Sequence, residues 1–385
     1  TLTMRGGYTI SDTVWLPHSG ETIVDAGGAD SAVFTITPNN SLTVESLTVQ
    51  GANHISGWGG GFNINGATVV LSDTVIRDNA TGESGAGVFV ENSVNVENMQ
   101  VSLINSAFVG NVATDATAGL VVGGANPIQL TLENTVFVGN TGAEVLSLEQ
   151  PFEIVGGQVS SNTVTGGSAI SIGGSGTLSD TEIVSNTSGA MGIGPDGAVS
   201  AHNLTLRGNT GGGIVSQGVL TLTNSLIENN SGGDWFLVTS VNEAAPGTER
   251  LTLDGCTIRG NSNVPGVVGL SGYAQVRDSV IVGNDNTAND GDIINIWPSA
   301  VQVHLINVLL ADNQSARPVV NGNTATGTIL LMNVTAAGNS VSNFPVLAGE
   351  GIWTVINTIV WGNTTPGDML GLGTFSVNYS DIEGG

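Results

Sequence analysis

The chain has 385 residues with 57 glycines, 40% hydrophobic residues, 5% aromatics and only 10% charged residues, against roughly 25% charged residues in ordinary globular domains. Its 32 acidic residues face seven arginines and no lysine, a formal net charge of −25, which disfavours nucleic acid and anionic membrane surfaces as partners and suits divalent cations. No apolar run approaches the roughly 18 residues of a membrane-spanning helix, residues 1–8 do not read as a secretory signal, and a single cysteine, Cys256, excludes an intrachain disulfide.

Residues 1–40 read as irregular first coils. A degenerate repeat, "SLTVQGA" at 46–52, then leads into a motif seen most clearly as "NSAFVGN" at 105–111 and "NTVFVGN" at 134–140. Counting its first residue as position zero, position six is asparagine in twelve successive copies: Asn79, Asn111, Asn140, Asn162, Asn186, Asn209, Asn230, Asn261, Asn284, Asn313, Asn339 and Asn363. Position zero is Asn or Asp in ten of them, with Gly156 and Gly255 as exceptions, and position three is always apolar, from Ile76 and Phe108 to Val360. A further apolar residue stands two places before position zero (Leu71, Leu103, Leu132, Leu222, Leu253, Leu305), and often another two before that (Val69, Leu130, Leu220, Leu251). This period of two marks strands with one buried face.

The position-six asparagines lie 21 to 32 residues apart, with the shortest gaps near 22. A helical repeat would show a 3.6-residue period, and a propeller blade needs roughly 40 residues or more. Short strands joined by Gly- and Asn-rich bends fit one coil of a parallel β-helix, stacked at about 4.8 Å per coil. The sequence therefore predicts an all-β, right-handed parallel β-helix of about 14 coils and three sheets, filling residues 1–385 as a single domain. The bend after position three calls for the left-handed conformation that Asn tolerates. Stacked amides are expected to bond into a ladder, so twelve copies point to architecture and not to catalysis.

Functional candidates are sparse along this array. Arg77, Arg207 and Arg259 fall at outward position four, and Arg207, Glu228 and Arg259 should form a short surface charge ladder. Cys256 stands where Ser or Thr often occurs. His18, His54, His202 and His304 show no metal-ligand spacing. The segment "NDNTANDGD" at 284–292 gathers Asp285, Asp290 and Asp292; its oxygen-rich composition makes calcium the candidate cofactor, although the spacing departs from an EF-hand and a plain acidic turn is the competing reading. Trp58, Trp235, Trp297 and Trp361 offer apolar faces for stacking on sugar rings, with burial beneath a loop as the alternative for each. Trp353 falls on the inward register.

The stretches "MRGGY" (4–8), "TIVDAGG" (22–28), "SLTVQGAN" (46–53), "GGGFNI" (59–64) and "YSDIEGG" (379–385) carry a resemblance to a known group. The chain resembles bacterial extracellular right-handed parallel β-helix repeat proteins of the pectin-lyase-like superfamily, among them the choice-of-anchor type surface proteins. The resemblance covers essentially the whole chain and implies an excerpt from a longer extracellular or cell-surface protein. It also implies partners: further copies stacked end to end, or surface polysaccharide. No lysine, Asp-Asp or Gly-His-Gly signature of the polysaccharide-degrading relatives occurs. The leading expectation is a non-enzymatic structural segment, a stalk, adhesin or fibre component. The alternative is a polysaccharide-binding or polysaccharide-degrading lyase or hydrolase on the same fold.

Overall fold

The computed structural model describes residues 1–11, 14–17, 20–234, 236–241, 249–324 and 326–383, with backbone course alone at 8–11 and 14–17. The chain divides into two compact units, Thr1–Ser188 and Gly189–Gly385. Each is a parallel β-solenoid built on the same plan.

In the first unit seven strands from Leu2–Arg5 to Ser175–Ser179 form one parallel sheet. Seven from Ile23–Asp25 to Glu182–Val184 form a second, and six from Phe34–Ile36 to Ser168–Ile172 a third. In the second unit the corresponding sheets hold eight strands from Ala198–His202, eight from Thr205–Arg207 and seven from Gly189–Ile193. Strand order in every sheet follows coil order, so the chain visits the three faces in turn. Short two-residue ladders follow the second sheet, from Asn53–His54 to Thr163–Val164 and from Asp285–Asn286 to Ser340–Val341. The first-sheet strands, seven and eight, bear out the expected number of coils. The opening residues contribute strands to all three sheets and also an antiparallel strand pair, Tyr8–Ser11 with Val14–Pro17, which the repeat pattern does not announce.

The period-two alternation becomes columns of like side chains inside each coil stack. Leu71, Leu103, Leu132, Ile154 and Leu178 are successive register partners in the first sheet, all buried. Ile76, Phe108, Phe137, Val159 and Ile183 do the same in the second, where the Phe108 and Phe137 rings stack at 4.4 Å. In the other unit Leu220 and Leu222 lie over Leu251 and Leu253. Each fully buried aliphatic or aromatic chain contributes roughly 1.5–3 kcal/mol. Trp353 sits in this core at full burial, stacked on Phe375 at 5.0 Å.

The asparagine ladder is present in both units. Asn111 shows the pattern: its Oδ1 accepts from the backbone N–H and the Nδ2 of Asn79 at 3.2 and 3.1 Å. Its Nδ2 donates to Ile76 O at 2.9 Å and to Asn140 Oδ1 at 3.1 Å. The chain of amide-to-amide bonds continues from Asn140 to Asn162 and Asn186 at 3.0 and 2.9 Å. In the second unit it runs through Asn209, Asn230, Asn261, Asn284, Asn313, Asn339 and Asn363 at 2.9 to 3.0 Å.

The bend itself differs from the sequence expectation. The left-handed residues are not the position-six asparagines but those at position zero, with φ from 47° to 68°, and at position five, with φ from 52° to 65°. Asn, Asp and Gly dominate position zero because L-residues other than these rarely adopt that conformation. The two glycine exceptions thus follow the rule: Gly156 and Gly255 have φ of 68° and 65°. Position six is reserved for Asn by its four hydrogen bonds instead.

Removing one interior amide strands several buried partners at about 1–3 kcal/mol each. Asn230→Ala is therefore expected to cost on the order of 3–5 kcal/mol in chemical denaturation. Asn363→Ala, whose amide donates to Ala336 O with no further ladder asparagine beyond it among the described residues, is expected to cost less. Equal losses, or none at Asn230, would contradict the ladder's role.

Candidate functional site

The three aspartates singled out in 284–292 have separate fates. Asp285 Oδ1 accepts from the Thr287 N–H and hydroxyl at 3.1 and 2.7 Å, closing a local turn. Asp290 ends the short 3-10 turn Thr287–Asn289 in a left-handed conformation, φ 50°, and pairs with Arg317 at 3.0 Å. Asp292 opens the third-sheet strand Asp292–Ile296 and is almost wholly buried. Among the described residues no group of three or more His, Cys, Asp or Glu side chains is placed to hold a metal ion.

Asp292 is the more informative of the three. Its carboxylate accepts from Asn295 Nδ2 and, one coil further on, from Asn321 Nδ2 at 3.3 Å. Burial pushes its pKa up to about 6, while the two amides and the Arg317 charge pull it back and Asp290 pushes it up. Asn295 and Asn321 are register partners on adjacent strands, and the Asn295 Oδ1 is buried without a partner.

The first unit repeats this geometry with other residues. Glu144 opens the third-sheet strand Glu144–Leu148, and Ser147, three residues on, is the register partner of Ser171 in the next coil. Burial raises the Glu144 pKa, the Ser171, Thr117 and Ser147 hydroxyls lower it, and Glu149 raises it. Both sites therefore place an acid at the start of a third-sheet strand, with a polar residue three places later and that residue's partner one coil on. The sequence signals, "EVLS" and "DIIN", are short. They become meaningful only when the coil register is known.

Beside Asp292, Asn321 lines an open cleft of about 660 Å³ that spans three coils of the second unit. Arg317, Phe344, Glu350, Asp368 and Asn323 also line it. Phe344 is 42% exposed, and Gly371 lies so close over Ala348 that a Cβ there would meet it at 2.9 Å. The spacing repeat did not point to this cleft, because its lining residues come from three separate coil corners.

Of the tryptophans proposed for sugar stacking, the three among the described residues each have different surroundings. Trp58, half-exposed, stacks on Phe89 at 5.3 Å in the first unit. Trp297 follows the strand Asp292–Ile296 and meets Phe236 edge-on at 5.2 Å, its buried indole N–H without a partner. Trp361 closes a second-sheet strand and is 53% exposed at outward position four. Trp235 and His18 lie outside the described residues.

The remaining candidates take structural places. Glu228 accepts from Arg259 at 2.7 Å and stands 3.9 Å from Arg207, giving the short charge ladder expected. Both arginines are about half exposed, so these pairs add little stability. Cys256 Sγ lies 3.5 Å from Leu222 O and 3.6 Å from Asp254 O. The Thr135 hydroxyl makes the equivalent bonds to Leu103 O and Glu133 O. Burial pushes the Cys256 thiol up, away from a reactive thiolate. His202 Nδ1 is 3.0 Å from the Thr223 hydroxyl on the first-sheet exterior.

No family model matches the chain, and no curated protein matches it. Among solved structures it is similar to the A-module of mannuronan C-5 epimerase AlgE4 from Azotobacter vinelandii, at 14% identity and a TM-score of 0.41, covering 89% of this chain and 91% of that one. The A-module of mannuronan C-5 epimerase AlgE6 from the same organism is similar at 12% identity and a TM-score of 0.42, covering 89% of each chain. Likenesses this loose assign no residue role here. The fold defines the class: a parallel β-solenoid with an internal asparagine ladder.

Because the folded-state pKa of Asp292 lies above its ordinary 3.8, the folded chain binds the extra proton between the two values. Its contribution to stability is present at low pH and lost as pH rises through about 6. Relative to Asp292→Asn, the unaltered chain is expected to gain on the order of 2–3 kcal/mol between about pH 8 and about pH 4. Parallel pH profiles of denaturation midpoint for the two chains would contradict the assignment.

Proposed function

We propose that the chain is a structural segment of a bacterial extracellular or cell-surface protein, serving as stalk, adhesin or fibre component of the choice-of-anchor kind. The observation that carries this reading is the uniform interior. Every interior ladder coil of each unit is tied to its neighbours by the same buried amide bonds, while the outward positions change freely from coil to coil. Such a scaffold resists extension, because separating two coils breaks a whole row of backbone and amide bonds together.

Pulled from its two ends in a single-molecule force experiment, the chain is expected to yield in discrete events, at forces well above those that extend a flexible linker. Antibodies raised against it are expected to label intact producing cells. Smooth extension at low force, or labelling only after lysis, would contradict the proposal.

A second reading is favoured by one observation. The cleft of about 660 Å³ in the second unit sets a half-exposed Phe344 among Asn321, Asn323 and Glu350. An apolar ring face amid polar groups suits a saccharide, so the segment would bind polysaccharide. Retarded migration in native gels cast with a polysaccharide supports this reading; unchanged mobility across neutral and acidic polysaccharides contradicts it.

A further inference from the structure

The chemistry of that cleft restricts what it can hold, an inference that rests on the polysaccharide-binding reading. Asn321 Nδ2 donates to the two Asp292 carboxylate oxygens at 3.3 and 3.4 Å, and its carbonyl oxygen can accept from a ligand. Glu350 and Asp368, both exposed, line the same cleft, and ionised carboxylates are acceptors only. The one arginine present, Arg317, already donates through Nε and a terminal nitrogen to Asp290 at 3.2 and 3.0 Å. The lining is thus rich in acceptors, and the charge of its one arginine is paired with Asp290. Phe344, half exposed, supplies an aromatic ring, and Pro318 and Pro345 line the same cleft.

We propose that this cleft binds uncharged, hydroxyl-rich sugar residues, seating a pyranose ring on Phe344 and taking hydroxyl donors at Asn321, Glu350 and Asp368, and that it excludes uronic acids. A neutral sugar brings a donor on every hydroxyl. A uronate brings a carboxylate that must approach two carboxylates, where the one nearby cation is already paired with Asp290. The chain's net charge of −25 adds to that repulsion at a distance.

Titration calorimetry of the whole chain with cello-, manno- and xylohexaose, and with a galacturonate hexamer as the anionic probe, tests this directly. At least one neutral hexaose is expected to bind in the micromolar to millimolar range, with the galacturonate hexamer weaker by at least tenfold. Phe344→Ala, at an exposed corner, is expected to weaken the neutral ligand about tenfold, a loss in keeping with a sugar-stacking aromatic. The double variant Glu350→Gln, Asp368→Asn is expected to narrow the gap between neutral and anionic probes several-fold, with an unaltered melting temperature reporting that both variants fold. The inference is overturned if the galacturonate hexamer binds more tightly than every neutral hexaose, or if Phe344→Ala leaves the neutral affinity unchanged. Either result leaves polysaccharide binding at some other face standing. Absence of binding by any hexaose overturns the inference, and the gel assay then decides whether the broader reading falls with it.

Discussion

Each interior ladder carboxamide makes four hydrogen bonds, and in this chain it finds them only if coils lie directly over one another. The Oδ1 of each interior ladder asparagine accepts from the coil before it, while its Nδ2 donates both to a carbonyl of that coil and to the next amide. A coil displaced by one residue would leave these groups unpaired in a dry interior, at a cost of about 1–3 kcal/mol each. The amide column therefore fixes register more strictly than the aliphatic core, which tolerates exchange among Leu, Ile and Val. All the amide-to-amide bonds point the same way along the stack, so their dipoles align and reinforce one another.

This constraint explains why coil length can vary while the fold does not. The chain must return to the same corner, but what happens between corners is free, and gaps of 21 to 32 residues between ladder positions follow. The corner is held by two left-handed residues, at positions zero and five, flanking the three-residue second-sheet strand. Between them, position one is a buried slot in which Thr135 bonds back to carbonyls and Cys256 does the same through sulfur. The cysteine is a space-filler with a weak donor, which accounts for its presence without invoking reactivity.

Much of the fold was legible because its rules act within a few residues. An apolar residue at position three and an amide at position six are separated by a fixed length of chain, so their periodicity survives every insertion. The left-handed positions are harder to place from sequence, because the ladder asparagine is itself a residue type that tolerates that conformation. Asn at position zero and Asn at position six look alike in a sequence and obey different physics, one conformational and one hydrogen-bonding. The Glu144 and Asp292 sites were less legible still. Each needs a residue from the following coil, Ser171 or Asn321, and no local signal marks that pairing. The cleft is the extreme case, assembled from 317–323, 344–350 and 368–372, where only three-dimensional register makes one surface from three corners.

The central claim is that the amide column, more than the apolar core, locks the coils together. Hydrogen exchange resolved to single amides tests it most directly, because the backbone N–H of each interior ladder asparagine donates to the next side chain, as Asn230 does to Asn261 Oδ1 at 2.9 Å. The account predicts that these N–H groups exchange only through unfolding of their whole unit, as slowly as any amide in the chain. Exchange at the ladder asparagines faster than at the second-sheet strands beside them would contradict it.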